Sequence, residues 1–271
     1  MDDRDCTAFL QWALPQHNLR WPGFRKVRRQ VCKRLKLRIG ELGLDSFAAY
    51  RRRLEVDPAE WCAFDECCHI TISRFFRDKG MFEVLRERVL PDIAGERRVA
   101  HIWSAGCASG EEPYTLKIVW DEEVARSVPG ARLSIVATDI DGAMLDRARR
   151  GCFAPTSFRE LPQHFVHQAF DREGALYCIR PHYRDGVEFL HQDLRREAPE
   201  RLFDLILCRY VAFTYFAEAL QRQVLTRLID RLAPRGYLAI GTHEQLPICA
   251  VTLQPLPGAS QIFRRETIIG R

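Results

Sequence analysis

The stretch Ile102-Trp-Ser-Ala-Gly-Cys-Ala-Ser-Gly-Glu-Glu-Pro-Tyr114 is the starting point for interpreting the whole chain. An apolar run from Val99 to Ala105 ends at a loop of small residues, which is followed by an acidic pair and a helical pattern. A strand, a glycine loop and a helix in this order are typical of the first crossover of a doubly wound α/β fold. In that fold a ligand binds at the carboxyl ends of the strands, and glycine lets the backbone approach it closely.

Four further apolar runs, at 133–138, 187–190, 203–209 and 237–242, predict strands that end in polar residues. Because the carboxyl ends of parallel strands meet at one edge of an open sheet, we expect the residues there to converge on one crevice. These residues are Gly106, Glu112, Asp139, Asp193, Arg209 and Tyr210. Residues 253–263, with Pro257-Gly258 between two apolar runs, predict a closing hairpin.

Composition limits the class of protein. The 271 residues are 46% hydrophobic and 28% charged, with a net charge of +5, which is ordinary for a folded domain and too mild to indicate nucleic-acid binding. No apolar run is long enough for a membrane span, and no signal-peptide pattern is present, so we expect a cytoplasmic protein without membrane insertion. Ten cysteines scattered without such a signal predict reduced thiols, and we predict no metal site, including at Cys62, Cys67 and Cys68.

The chain divides into two predicted domains. Residues 1–75 are expected to form a small helical domain, and residues 76–271 the domain with the sheet, including a small β insertion at about 154–188. The helical domain contains a strongly basic stretch from Arg25 to Arg38. Such a stretch fits a solvated helix face, a docking face for an acidic protein, or a surface for nucleic acid or membrane.

The predicted crevice indicates the class of ligand. The chain has neither the G-x-G-x-x-G pattern of dinucleotide-binding domains nor the G-x-x-x-x-G-K-[ST] loop of nucleoside triphosphatases. A small-residue loop followed by carboxylates suits a cationic or zwitterionic nucleoside better than a pyrophosphate. S-adenosylmethionine fits this description, because its amino group and its ribose can each bind a carboxylate.

Several long motifs in the same order make the chain resemble the CheR-type methyltransferases, over roughly residues 20–265. The motifs are Phe75-Phe-Arg77, Trp103-Ser-Ala-Gly-Cys-Ala-Ser-Gly-Glu-Glu-Pro-Tyr114, Ala137-Thr-Asp-Ile-Asp141, Phe203-Asp-Leu-Ile-Leu-Cys-Arg209 and Tyr215-Phe216. The resemblance implies a class I methyltransferase (Rossmann-like) fold with a doubly wound, mostly parallel sheet. It also implies S-adenosylmethionine as cofactor and glutamate side chains of chemotaxis receptors as methyl acceptors.

The resemblance also assigns residues. Glu112 would bind the methionine amino group, Asp139 the ribose and Asp193 the adenine, and Leu194 is a further cofactor contact. Arg77 and Tyr215 match the catalytic arginine and tyrosine beside the methyl donor. The other predicted cofactor contacts are Thr71, Ser73, Arg77, Gly106, Arg209 and Tyr210. The basic helix would meet an acidic, helical, receptor-like protein.

This sequence departs from the family pattern at several positions. The family has asparagine where this chain has Thr71 and Tyr210, and often where it has Asp193. The turn before Tyr215 is one residue longer, and Gly-His-Ser-Glu is replaced by Gly241-Thr-His-Glu244. These departures favour one alternative, a carboxyl methyltransferase for another protein or a small molecule. A protein that binds the cofactor without turnover and an RNA methyltransferase, which draws on the basic helix, also stay open.

Overall fold

The computed structural model of the chain describes residues 2–248 and 253–266. The chain forms two compact units. The first, here called the helical unit, comprises Met1–Ile70 and Val211–Gln221. The second, the sheet unit, comprises Thr71–Tyr210 and Arg222–Arg271.

The sheet unit is built on a seven-stranded sheet in the order β6-β2-β1-β7-β8-β10-β9. Its strands are β1 (Val99–Ala105), β2 (Arg132–Asp139), β6 (Val187–His191), β7 (Phe203–Cys208), β8 (Leu232–Ile240), β9 (Leu253–Leu256) and β10 (Ala259–Arg265). The first five strands in this order are parallel, whereas β10 is antiparallel to both β8 and β9. The predicted doubly wound, mostly parallel sheet and its closing hairpin are confirmed.

The strand order places a ligand crevice. Strands β2 and β6 lie on one side of β1, and strands β7 and β8 lie on its other side. The direction in which successive strands are added to the sheet therefore reverses at β1. Such a reversal opens a crevice outside the carboxyl ends of the strands. Strand β7 is buried at every position, which is why its sequence is a nearly continuous apolar run.

Helices flank the strands of this sheet. They are α6 (Lys79–Val84), α7 (Leu90–Glu96), α8 (Glu111–Val119), α9 (Ala125–Ser127), α10 (Gly142–Arg150), α11 (Gln163–Ala169) and the main part of α13 (Glu218–Arg231). Pro91 lies in α7, which directly continues the π-helical turn Leu85–Val89, so the chain is helical without a break from Lys79 to Glu96. Asp141 caps α10 by accepting a hydrogen bond from the Met144 amide.

A separate three-stranded sheet lies within the sheet unit. Its strands are β3 (Cys152–Phe153), β4 (Phe170–Glu173) and β5 (Leu176–Ile179), in the order β3-β5-β4. Phe75 contacts the rings of Phe153, Phe158 and Phe170 at centroid distances of 4.8 to 5.1 Å. Burying each such ring contributes about 2 kcal/mol, so this aromatic cluster anchors the segment before Arg77.

The helical unit has its own aromatic core. Its helices are α1 (Asp3–Gln16), α2 (Trp21–Phe24), α3 (Arg28–Glu41), α4 (Phe47–Val56), α5 (Glu60–Cys68), α12 (Ala212–Tyr215) and the start of α13. Phe9 packs against Phe47, Tyr50 and Phe64. Among the described residues of both units, no helix has the length and apolar character needed to cross a membrane.

The expectation of reduced thiols throughout is wrong, because four cysteines form two disulfides. Cys6 on α1 is bonded to Cys32 on α3, and Cys152 on β3 to Cys178 on β5. Cys152 and Cys178 are direct cross-strand partners, with Cα atoms 4.0 Å apart. Each pair is separated by 26 residues, so the pairing depends on helix and strand packing that cysteine spacing does not reveal.

Candidate active site

The loop after β1 is shaped by backbone conformations that favour glycine. Gly106 and Gly110 have φ values of +83° and +91°. A Cβ atom on Gly110 would lie 2.8 Å from the Cβ of Ala148, so any side chain there would push α10 away. The amides of Gly106 and Cys107 donate to the carbonyl of Thr138, which ties the loop to the end of β2.

Asp139, the last residue of β2, is fixed by two backbone amides. Its Oδ2 accepts from the Ala108 amide at 2.7 Å, and its Oδ1 accepts from the Asp141 amide at 2.9 Å. These two hydrogen bonds fix the orientation of the carboxylate at the carboxyl end of β2.

Glu112 lies in the first turn of α8, where the helix dipole stabilises a negative charge. Its Oε1 accepts from the Ser104 hydroxyl and its Oε2 from Arg209 Nη1, both at 2.7 Å. These bonds connect the carboxyl ends of β1 and β7 to the start of α8. Each carboxylate oxygen has two lone pairs and can accept a further donor.

Arg209 follows β7 and is almost completely buried, with a side-chain exposure of 4%. Besides Glu112, it donates through Nη2 to Asp78 Oδ2 at 2.9 Å and to the Arg77 carbonyl at 2.6 Å. Burial alone would lower the pKa of Arg209, but the charges of Glu112 and Asp78 raise it. The guanidinium is thus a cation neutralised by two carboxylates.

Asp78 and Tyr210 form a second connection across the site. The Tyr210 hydroxyl donates to Asp78 Oδ2 at 2.6 Å and accepts from the Thr242 amide at 3.2 Å. Burial would raise the pKa of Asp78, but the hydrogen bond from Tyr210 and the charge of Arg209 lower it. Burial and the bond to Asp78 together raise the pKa of Tyr210. Asp78 is therefore held as an anion and Tyr210 as a neutral phenol.

Arg77 has a different environment from Arg209. Its Nη1 donates to the Ile72 carbonyl at 2.7 Å, and its guanidinium carbon lies 4.0 Å from the centre of the Tyr210 ring. Among residues 2–248 and 253–266, Arg77 forms no ion pair with a carboxylate. It is a half-buried cation whose charge is not neutralised by a carboxylate of the described residues.

Asp193 and its neighbours lie after β6. The Asp193 carboxylate accepts from the backbone amide and the Nε of Arg195, each at 2.9 Å. Leu194 is buried, and its carbonyl accepts from Arg227 at 2.9 Å. Thr71 and Ser73 are half-buried in the segment that leads to Arg77. The side chain of Asp193 is thus engaged in stabilising the following turn.

Tyr215 belongs to the helical unit. Its ring lies 4.9 Å from that of Phe24, and its carbonyl accepts from the Arg20 amide at 2.8 Å. Gly23 packs so closely against this segment that an added Cβ would lie 2.1 Å from the Thr214 carbonyl oxygen. These contacts fix the backbone of α12 within the helical unit.

The basic stretch from Arg25 to Arg38 does not form one uniform face. Helix α3 begins at Arg28, and Arg38 turns inward to form a bidentate pair with the buried Glu60, at 2.7 and 2.8 Å. Arg34 donates to the carbonyls of Cys67 and His69. The outward cations line a groove of about 460 Å³, together with Asp3, Cys32 and Leu37. We call Arg29, Lys33 and Lys36 the outer face of α3.

The cysteine cluster on α5 consists of ordinary thiols. Cys62 is exposed, Cys67 is half-buried and Cys68 is buried. Burial raises the pKa of Cys67 to about 11 and that of Cys68 above its usual range. Both thiols are therefore protonated at neutral pH and poorly suited to nucleophilic chemistry.

Comparison with known proteins assigns the site to a family. The CheR methyltransferase SAM-binding domain matches residues 71–259, more than half of the chain. The chain belongs to the CheR methyltransferase family. The matched range contains all of the crevice residues described above, from Thr71 to Tyr210.

Three members of this family illustrate the similarity. The chemotaxis protein methyltransferase of Listeria innocua is 35% identical over 202 residues, covering 74% of this chain and 75% of that protein. Chemotaxis protein methyltransferase 1 of Pseudomonas aeruginosa is 37% identical over 180 residues, covering 64% and 65%. The chemotaxis protein methyltransferase of Salmonella typhimurium is 33% identical over 226 residues, covering 80% and 76%.

Family membership identifies the chain as a methyltransferase that uses S-adenosylmethionine. The seven-stranded sheet is accordingly the class I methyltransferase fold that the resemblance implied. No residue prediction for the site included Asp78 or Ser104, although both contact predicted CheR-site residues. Asp78 directly follows Phe75-Phe-Arg77, and its left-handed φ of +65° turns it toward Arg209 and Tyr210. The sequence signal for Asp78 was its position directly after the motif Phe75-Phe-Arg77.

Proposed function

We propose that this enzyme forms methyl esters on glutamate side chains of a chemotaxis-type receptor. The observation that carries the proposal is the contrast between two arginines at one site. Arg209 is neutralised by Glu112 and Asp78, whereas Arg77 keeps its charge and has N–H donors to offer. A carboxylate acceptor is the substrate that such an arginine recognises best.

We also propose which residues bind the cofactor. Glu112 and Asp139 fit S-adenosylmethionine, because each is a carboxylate whose orientation is fixed by hydrogen bonds, and a carboxylate accepts hydrogen bonds from an amino group or from ribose hydroxyls. We assign Glu112 to the amino group, Asp139 to the ribose and Gly106 to close backbone approach. Asp193 and Leu194 would contact the adenine through their backbone, since the Asp193 side chain is paired with Arg195. Thr71, Ser73, Arg209 and Tyr210 would complete the pocket wall.

The reaction needs little from the protein beyond positioning. S-adenosylmethionine, when bound, supplies a methyl group on a positively charged sulfur. A glutamate carboxylate is ionised at neutral pH and attacks without a general base, so no proton has to be moved. Arg77 would orient the acceptor carboxylate. The role of Tyr215 as a second catalytic residue rests on the family resemblance. Because Arg209 is already paired with Glu112 and Asp78, it would not neutralise the acceptor carboxylate, which would keep its nucleophilicity.

We further propose that the acceptor is an acidic helical protein that docks on the outer face of α3, in the cytoplasm. Arg29 and Lys33 are exposed. Lys36, which also lines the groove, has its Nζ 3.9 Å from Asp3 Oδ1. Leu37, with an exposure of 61%, adds an apolar contact beside these charges. A cationic face with one apolar residue is complementary to an amphipathic acidic helix.

The test of the carboxylate role replaces Arg77 by alanine and by lysine. We expect Arg77→Ala to lower turnover of a receptor-derived glutamate peptide about 100-fold, because the acceptor is no longer oriented. Cofactor affinity, measured by calorimetry, should change less than about twofold. Arg77→Lys should recover only part of the turnover, since a point charge does not reproduce the planar fork.

The chemical identity of the product gives an independent test. A methyl ester is released as methanol in mild base, whereas a methyl group on nitrogen is not. A base-stable product would contradict carboxyl methylation altogether. Reduced cofactor binding with normal turnover per bound enzyme in Arg77→Ala would instead contradict the role of Arg77 alone.

A second candidate is carboxyl methylation of a different protein or a small molecule. It is favoured by the presence of Tyr210 and Thr71 where the family pattern has asparagine, since Tyr210 lies directly under Arg77. Comparing kcat/KM for the receptor peptide with that for small carboxylic acids separates the two. A higher value for a small acid would establish the second candidate.

A further inference from the structure

The ring of Tyr210 is fixed from two ends. Its hydroxyl is bonded to Asp78 Oδ2 and to the Thr242 amide, at 2.6 and 3.2 Å. Its backbone amide donates to Glu244 Oε2 at 2.9 Å, and the same oxygen accepts from Gly241. Tyr210 also has a φ of +57°, a left-handed conformation that costs a non-glycine residue about 1 kcal/mol or more. The fold maintains this conformation against that cost.

The space for the ring depends on Gly241 at the end of β8. A Cβ atom at position 241 would lie 2.7 Å from Cε1 and 2.8 Å from Cζ of Tyr210. Such contacts are too short to exist, so a side chain at this position would displace the ring. The site therefore combines an unusual backbone conformation with a neighbour small enough to admit the aromatic side chain.

The fixed ring has one cation directly above it. The guanidinium carbon of Arg77 is 4.0 Å from the ring centre, compared with 5.8 Å for Arg209. An aromatic face attracts a cation without occupying any of its N–H donors. Among the residues that the structure describes, one of the five N–H donors of Arg77 is used, by the Ile72 carbonyl. A carboxylate in place of the ring would hold the arginine equally well but would neutralise it.

We propose that Tyr210 is a positioning residue that holds the guanidinium of Arg77 over its ring, so that the arginine presents its remaining donors to the acceptor carboxylate. The proposal rests on the proposed role of Arg77. Tyr210 acts through the arginine and does not itself touch the reacting atoms. In this chain the ring, rather than an acidic partner, determines where the charge lies.

The experiment compares ring-removing and ring-preserving variants of the full chain. The probe is a helical alanine-based peptide with four glutamates, and its control is the same peptide with four glutamines. Peptide Kd is measured with S-adenosylhomocysteine bound, so recognition is followed without turnover, and kcat and KM are measured separately. Circular dichroism and urea unfolding establish that each variant is folded.

We expect Tyr210→Leu to reduce the preference for the glutamate peptide about 3- to 30-fold, the range that a cation–π contact can supply. Tyr210→Phe, which keeps the ring and loses the bond to Asp78, should stay within about twofold of the unsubstituted chain. In an Arg77→Ala background, Tyr210→Leu should have no additional effect, because its action requires the arginine.

Two outcomes would overturn the proposal. One is an equal loss in Tyr210→Phe and Tyr210→Leu, which would assign the effect to the hydroxyl. The other is an undiminished effect of Tyr210→Leu in the Arg77→Ala background. If Tyr210→Leu does not fold, Gly241→Ala displaces the ring and should reproduce the loss; an unchanged preference in folded Gly241→Ala would overturn the proposal. A normal preference in Arg77→Ala alone would instead show that the proposed role of Arg77 is wrong.

Discussion

The crevice at the carboxyl ends of the strands and helix α3 both contain arginines, but the charges are paired with carboxylates to different extents. In the crevice, Arg209 is buried and paired with Glu112 and Asp78. On α3, Arg29 and Lys33 are exposed and form no ion pair among the described residues. Burial requires a cation to be neutralised because water no longer solvates it, whereas an exposed cation needs no partner. Arg38 shows that α3 follows the same rule where it is buried against Glu60.

The largest effect is expected from Arg209→Met. The change leaves Glu112 and Asp78 in a mostly buried site without their shared counterion, which should cost about 3 to 5 kcal/mol of unfolding free energy. Urea unfolding followed by circular dichroism measures the loss. Arg209→Lys, which keeps the charge, should lose less; a cost below about 1 kcal/mol for Arg209→Met would mean that the pairs contribute little.

A smaller loss of stability is expected from Arg38→Met on α3. Glu60, whose side chain is 4% exposed, would lose both hydrogen bonds from Arg38 and keep the one from the Tyr50 hydroxyl. We expect the free energy of unfolding to fall by about 2 to 3 kcal/mol, because a buried carboxylate loses its cation. Lys33→Met on the same helix is the matched control and should stay within about 0.5 kcal/mol of the unsubstituted chain. Equal losses in Arg38→Met and Lys33→Met would contradict the distinction between paired, buried cations and exposed ones.

Binding of the acceptor should depend on the exposed cations of α3, which contribute little to stability. Reversing two charges on the outer face, Arg29→Glu with Lys33→Glu, should weaken binding of an acidic acceptor about 10-fold at low salt, with cofactor affinity unchanged. The difference should shrink as ionic strength rises, because salt screens exposed charges. Arg29→Glu alone is compared with Arg52→Glu on α4, which makes the same charge change at another exposed position. A loss that persists at 0.5 M salt, or an equal loss in Arg52→Glu, would argue against electrostatic docking.

The smallest effect concerns acid stability. Hydrogen bonds from Arg38 lower the pKa of Glu60 despite its burial, and the pKa of Asp78 is lowered as described above. A carboxyl group with a lowered folded-state pKa contributes stability above its unfolded value, near 4, and loses it as pH falls through the folded value. Stability should therefore drop below about pH 4. Glu60→Gln should flatten this slope by at most about 1.4 kcal/mol per pH unit, measured by urea unfolding between pH 3 and 7.

Local pattern in the sequence was enough to locate most of the sheet. Strand β1 has the predicted bounds, β2 is one residue longer than predicted at each end, and β7 is one residue shorter at its carboxyl end. Buried parallel strands must be apolar on both faces, and their polar carboxyl ends must lie at one edge. For the same reason the sequence predicts that Glu112, Asp139 and Arg209 lie at one crevice, and the structure pairs Glu112 with Arg209.

Only the tertiary structure decided which partner each charged or reactive group has. The pairing of Cys6 with Cys32, the neutralisation of Arg209 by Asp78, and the position of Arg77 over Tyr210 all join residues far apart in the chain. Periodicity predicts which face of an element is buried, but it carries no information about which side chain lies opposite. That choice is made by packing between elements, and it separates a structural arginine from one that is available to a substrate.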